Sequence, residues 1–119
     1  MSEEPSLEAR AYHALRMRTE LRRGGLSLAV LAALRTEDYA SSLRRRLADA
    51  GLDIEEGTLY PMVRRLESQG LLCSEWRERD GRKRRYYVAS DDGLWVLDQL
   101  LGEWNQMVIS LQQLGGRDG

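Results

Sequence analysis

Cysteine and histidine are all but missing from this chain, and each absence removes a class of chemistry. Cys73 is the only cysteine, so no disulfide framework is available, and a buried, inert thiol is its expected state. His13 is the only histidine and lies far in sequence from Cys73. No paired His/Cys spacing suits a metal, no glycine loop suits a phosphate, and no nucleophile stands beside a base. The expectation is a non-enzyme with no catalytic residue, no metal and no cofactor. Long apolar runs are missing too. None approaches the roughly 18 residues needed to span a bilayer, so no membrane partner is expected. Residues 1–10 hold Glu3, Glu4 and Glu8 and no apolar core, unlike a secretory signal, which points to the cytoplasm. At 119 residues the chain suits one domain, with little room for a separate ligand domain.

Net charge is also scarce, −1 in all, but it is unevenly spread. Residues 87–119 carry Arg117 against Asp91, Asp92, Asp98, Glu103 and Asp118, a balance of −4 that leaves +3 for residues 1–86. Basic residues cluster at 44–46, 64–65 and 82–85. Local patches, and not the total, steer a polyanion. Arg44-Arg45-Arg46 span most of a helix circumference, so they cannot all face one partner, and a solvated face is an equal reading.

What is present is a short helix with two different faces. Leu59, Met62, Val63 and Leu66 fall at i, i+3, i+4, i+7, the spacing of one buried side. The other side offers Thr58, Tyr60, Pro61, Arg64 and Arg65. Hydrogen-bonding groups in the first turn and arginines in the second suit a nucleic-acid groove; an amphipathic helix with a merely solvated basic face is the competing reading. Upstream, Leu26–Leu34 is a compact apolar helix. Thr36-Glu37-Asp38 offers caps for a second helix carrying Tyr39, Leu43 and Leu47, and Gly51 ends it. Leu52–Glu56 turns into the Thr58–Gln69 helix, completing a helix-turn-helix order. Gln69-Gly70 stops that helix. Two strands, Leu71–Glu78 and Lys83–Ala89, then flank Asp80-Gly81, a pair that favours a type I′ hairpin turn. A helix-turn-helix with a hairpin is a winged helix, and Arg79, Arg82, Lys83, Arg84 and Arg85 would set the wing against phosphates.

Glu56-Gly-Thr-Leu-Tyr-Pro, then Arg64-Arg65-Leu66-Glu67 and Gly70-Leu71, resembles the signature of the PadR family of bacterial transcriptional regulators. Ser74-Glu75-Trp76, Arg85-Tyr86-Tyr87, Gly93 and the lead-in Glu20–Gly24 agree with it in order. The chain departs from the family's usual pattern at Ala40, Glu55 and Ala89-Ser90. Ser90 can still cap the final helix through its hydroxyl. The resemblance implies a winged helix that binds DNA and a C-terminal helix that forms a dimer.

The flanks carry their own signals. Ser6–Arg23 reads as a polar helical arm, set off from the body by Gly24-Gly25. In the C-terminal segment, Leu97, Leu100, Trp104, Met107, Leu111 and Leu114 repeat at coiled-coil spacing. Leu94, Leu97, Leu101, Trp104, Val108 and Leu111 form an adjoining stripe. Two stripes exceed one helix contact, so a partner helix is expected, most economically from a second copy. Trp104 is central to both. It is either seam packing or, as resemblance to the family's small multidrug-sensing branch implies, a platform for a flat aromatic effector. Trp76 and Trp95 read as core or surface-covering aromatics.

The expected fold is mostly α with a small β wing. Its parts are a helical arm over residues 1–24, a winged helix-turn-helix over 25–90, a dimerisation helix over 91–114 and a tail over 115–119. The expected function is a homodimeric, ligand-responsive repressor on a pseudo-palindromic double-stranded DNA operator. Thr58, Tyr60, Pro61 and Arg64 would read it, and Arg82, Lys83, Arg84 and Arg85 would grip its backbone. Leu97, Leu100, Leu101, Trp104, Met107, Val108 and Leu111 would form the dimer interface. The alternative is a winged-helix protein-interaction module without DNA binding, which the basic wing disfavours.

Overall fold

The computed structural model describes residues 6–115; the expected tail beyond Gly115 lies outside them. Four helices and three short strands follow in the order α1 (Leu7–Ala33), β1 (Asp38–Tyr39), α2 (Ala40–Asp49), α3 (Glu56–Ser68), β2 (Leu72–Arg79), β3 (Arg82–Ala89) and α4 (Asp91–Gly115). This is the mostly helical winged-helix fold that the sequence predicts.

The expected break at Gly24-Gly25 does not occur. Helix α1 runs through both glycines for 27 residues, from an N-cap at Ser6 whose hydroxyl accepts the Ala9 N–H. Two helical glycines cost about 1 kcal/mol each relative to alanine, and the helix runs on through both. A Cβ on Gly25 would stand 3.4 Å from the Trp104 indole, an ordinary contact distance, so Trp104 of α4 packs over α1 at this point. The first half of α1 leaves Leu7, Tyr12, Leu15, Met17 and Leu21 exposed, while Val30, Leu31 and the following Leu34 are buried.

Helix α2 starts differently from its expected cap. Tyr39 is the N-cap residue and makes no side-chain cap bond. Asp38 instead organises the corner. One carboxylate oxygen accepts the Tyr39 N–H at 2.9 Å, and the other accepts the Ser42 hydroxyl at 2.9 Å and Arg46 at 3.0 Å. With these partners the carboxylate tolerates burial to 8% exposure. Asp38 and Tyr39 also form β1, pairing antiparallel with Tyr87 and Tyr86 of β3, and the sheet order is β1-β3-β2.

Two glycines end helices as expected. Gly51 (φ 90°) follows α2, with Leu52 N–H bonded to Leu47 C=O and Gly51 N–H to Ala48 C=O. Gly70 (φ 81°) repeats the pattern after α3, with Leu71 to Leu66 and Gly70 to Glu67. Both are Schellman closures, which satisfy carbonyls that a helix end leaves open. Helix α3 begins two residues before the expected Thr58 and buries Leu59, Met62, Val63 and Leu66, the predicted face. Asp80 and Gly81 both take positive φ (53° and 73°), as a type I′ turn requires.

Helix α4 is seated on the α3–β2 turn. The Ser90 hydroxyl accepts the Gly93 N–H at 3.0 Å and donates to the Gly70 carbonyl at 2.6 Å, which is the predicted cap. A Cβ on Gly93 would stand 2.1 Å from the Leu71 carbonyl oxygen, so only glycine fits this approach. One core gathers Val30, Leu31 and Leu34 of the α1 end, Leu43 and Leu47 of α2, the buried face of α3, Leu72, Tyr87 and Ala89 of the hairpin, and Leu97 of α4. Leu97, expected on a dimer seam, is only 1% exposed within the single chain. Cys73 is exposed, not buried. Strand alternation explains it, because Leu72 faces the core and its neighbour must face away.

Candidate nucleic-acid interface

Burial of one side of α3 forces the other outward. Thr58, Pro61, Arg64 and Arg65 are exposed and Tyr60 is half-buried; Tyr60 and Arg64 share a concavity with the wing, while Thr58 lies on the other flank of α3, beside Arg22, Arg23 and Glu55. Pro61 lies inside the helix, where its missing N–H leaves the Gly57 carbonyl without its usual partner. Neither Arg64 nor Arg65 pairs with a carboxylate among the described residues. Beside α3, a concavity of about 620 Å³ is walled by Tyr39 and Ser41, by Tyr60, Arg64 and Glu67, and by Trp76, Arg84 and Arg85 of the hairpin. Most of its walls are aromatic and guanidinium groups, which suit sugar rings and phosphates, with the Glu67 carboxylate among them.

The wing does not present its basic run as one patch. Paired strand residues share a face, and the register sets Arg82 opposite Arg79, Arg84 opposite Arg77, and Arg85 opposite Trp76. Arg82 and Arg84 therefore lie on one face, and Lys83 and Arg85 on the face turned to α3. Like charges across a strand pair repel. Glu37, from the loop after α1, relieves this by bridging Arg77 at 2.8 Å and Arg79 at 3.3 Å. Arg79 stacks over Tyr86 at 4.5 Å and Arg84 over Tyr39 at 4.3 Å. On the inner face the Arg85 Nε–H donates to the Ser74 hydroxyl at 2.9 Å, and its guanidinium reaches Glu67 of α3 at 3.4 Å. The Ser74 hydroxyl donates to the same Glu67 oxygen. Arg85 is thus held by the protein, while Arg82, Lys83 and Arg84 pair with no carboxylate among the described residues.

The arginines of α2 are divided in the same way. Arg44 bonds the Ile54 carbonyl at 2.8 Å and pairs with Glu56 at 3.3 Å, while Arg46 holds Asp38 and the Ala33 carbonyl. Only Arg45 of the three makes no such tie among the described residues, and it is exposed. Trp76 is the residue that sequence reasoning undervalued. It is 57% exposed, lines the concavity, and lies near Lys83 and Arg85. Its cross-strand pairing with Arg85 was the available signal.

No group of three metal-ligating side chains occurs among the described residues, and no described helix is long and apolar enough to cross a membrane. Against this geometry, the model of the transcriptional regulator PadR-like family matches residues 28–99, spanning the end of α1 through the start of α4. The chain belongs to the PadR-like family of transcriptional regulators. It is similar to the transcriptional regulator Rv3488 of Mycobacterium tuberculosis, 41% identical over 81 residues that cover 67% of this chain and 76% of that one. The crystal structure of a PadR family transcriptional regulator from Eggerthella lenta superposes with a TM-score of 0.83 at 41% identity, covering 93% of this chain and 99% of that one. A PadR-like transcriptional regulator from Bacillus cereus gives a TM-score of 0.75 at 25% identity, covering 82% and 99%. Membership of the PadR-like family makes this chain a transcriptional regulator, with DNA as the implied partner.

In this PadR-like regulator α4 continues well past the core. Leu97 is buried and Leu101 half-buried against the chain's own core, whereas Leu100, Trp104, Met107, Val108, Leu111 and Leu114 are exposed. Trp104 rests the far edge of its indole on Gly25 and remains 39% exposed. The apolar stripe is real, but its first member belongs to the monomer.

Proposed function

We propose that this protein is a homodimeric, ligand-responsive repressor that binds a pseudo-palindromic operator. The carrying observation is the outward side of α3, where Thr58 and Pro61 are exposed and Tyr60 and Arg64 line a concavity shared with Trp76 and Arg84 of the wing. Each subunit's α3 enters a major groove, with half-sites roughly 34 Å apart. Thr58, Tyr60 and Pro61 probe base edges and the adjacent sugar-phosphate at the helix start, and Arg64 contacts guanine or phosphate. Arg82, Lys83 and Arg84 supply point charges to the backbone. The winged helix over 25–90 reads DNA and the helix over 91–114 pairs two copies, a division supported by the open stripe Leu100, Trp104, Met107, Val108 and Leu111. A flat aromatic effector between the two Trp104 rings would favour one spacing of the reading helices over another, and so release DNA.

The test is selection of duplexes from a randomised library, followed by fluorescence anisotropy on selected and random sequences. Tyr60→Ala is expected to weaken binding to the selected duplex more than to random DNA. Failure of the parent to enrich any duplex would refute DNA binding and favour a protein-interaction module.

A further inference from the structure

Glu67 is an acid where a DNA-binding surface gains nothing from one. It lies on α3 one turn beyond Arg64 and lines the concavity between that helix and the wing. Coulomb repulsion from phosphates makes a carboxylate here unfavourable for binding any duplex. Its contacts give it another task. A single Glu67 oxygen accepts both the Ser74 hydroxyl of β2 and the Arg85 guanidinium of β3, and Arg85 also donates to Ser74. One side chain of the reading helix therefore holds both strands of the wing, and the three groups close a ring of hydrogen bonds.

We infer that Glu67 is a positioning residue for operator binding: it fixes the angle between reading helix and wing through Ser74 and Arg85. This inference rests on the reading of α3 and the wing as the DNA surface. It also reassigns Arg85, which the sequence suggests as a phosphate contact, to the protein's own scaffold. Nothing else on the inner face ties the wing to α3 by charge among the described residues. The outer face is held separately, by Glu37 on Arg77 and Arg79. Pre-set orientation matters because ordering a mobile wing at the moment of binding subtracts from affinity.

The positioning role and simple electrostatics predict opposite signs. Removing an acid strengthens binding to every duplex if charge alone counts. If Glu67 positions the wing, Glu67→Ala in the full chain weakens binding to a selected duplex at least tenfold. Binding to random DNA holds or rises, and the salt slope steepens as Arg85 is freed to meet phosphate. Glu67→Gln removes the charge but keeps an acceptor oxygen, and is expected to retain most of the selected-duplex affinity. In nitrogen–proton NMR spectra of the free protein, amides of residues 72–89 should shift in Glu67→Ala while those of α1 and α4 do not, which separates a loosened wing from a lost fold. Selected-duplex affinity equal to or above the parent's in Glu67→Ala overturns the inference, as does a Glu67→Gln variant as weak as Glu67→Ala. A parent that enriches no duplex overturns the DNA reading itself, and this role with it.

Discussion

Four basic side chains in a row, Arg82 to Arg85, serve different ends because a strand sends successive residues to opposite faces. Arg82 and Arg84 lie on the strand face opposite Arg85, and Arg84 is steadied over Tyr39 at 4.3 Å at the rim of the concavity. A guanidinium stacked on a ring keeps its hydrogen-bonding edge free for phosphate. The double variant Arg82→Ala, Arg84→Ala is therefore expected to weaken selected and random duplexes alike. It should flatten the slope of log affinity against log salt by up to about two. Arg85→Ala is expected to weaken the selected duplex without flattening that slope. Anisotropy titrations across a salt series check both, and equal slopes for the double variant and the parent would remove Arg82 and Arg84 from the backbone contacts.

Helices α1 and α4 meet where Trp104 lies over Gly25. A Cβ on Gly25 would touch Trp104 at 3.4 Å, whereas nothing lies within 4 Å of a Cβ placed on Gly24. Gly24→Ala is accordingly expected to stabilise the protein by about 0.5–1 kcal/mol, measured by urea unfolding, because it adds helix propensity without a clash. Loss of stability would contradict a continuous α1. The sequence could not reveal this continuity, because the pair reads locally as a breaker and its counterpart lies in α4. Strand β1 was equally hidden, since two residues have no periodicity and only β3 makes them a strand. By contrast, the buried face of α3, the closures at Gly51 and Gly70, the Asp80-Gly81 turn and the Ser90 cap were legible, each being set by residues within two turns of chain. The same division runs through the candidate site. The outward face of α3 follows from periodicity, while the Glu67–Ser74–Arg85 ring joins positions up to 18 apart and needs the folded hairpin.

The whole molecule leaves a stripe of large apolar groups on the distal part of α4. Burying a Leu or Met side chain contributes roughly 1.5–3 kcal/mol, so a second copy is the proposed cover. Because Leu97 belongs to the core, truncation there would unfold the chain, and charge placed further along is the cleaner probe. Met107→Glu with Leu111→Glu is expected to give a folded monomer by analytical ultracentrifugation and circular dichroism; a persisting dimer would move the interface elsewhere. Trp104→Ala is expected to abolish quenching of tryptophan fluorescence by flat cationic dyes while the dimer survives. Stacking and cation–π attraction each contribute about 1 kcal/mol at such a site. A variant that binds dye as well as the parent would place any effector site away from Trp104. The long, unbroken α1 and α4 also give the single chain an outline of 66 × 30 × 24 Å and a radius of gyration of 18.2 Å, against about 13–14 Å for a compact chain of this length. Such a rod meets more friction than a sphere of its mass, so even one copy would leave a gel-filtration column early, and elution volume would report its length before its stoichiometry.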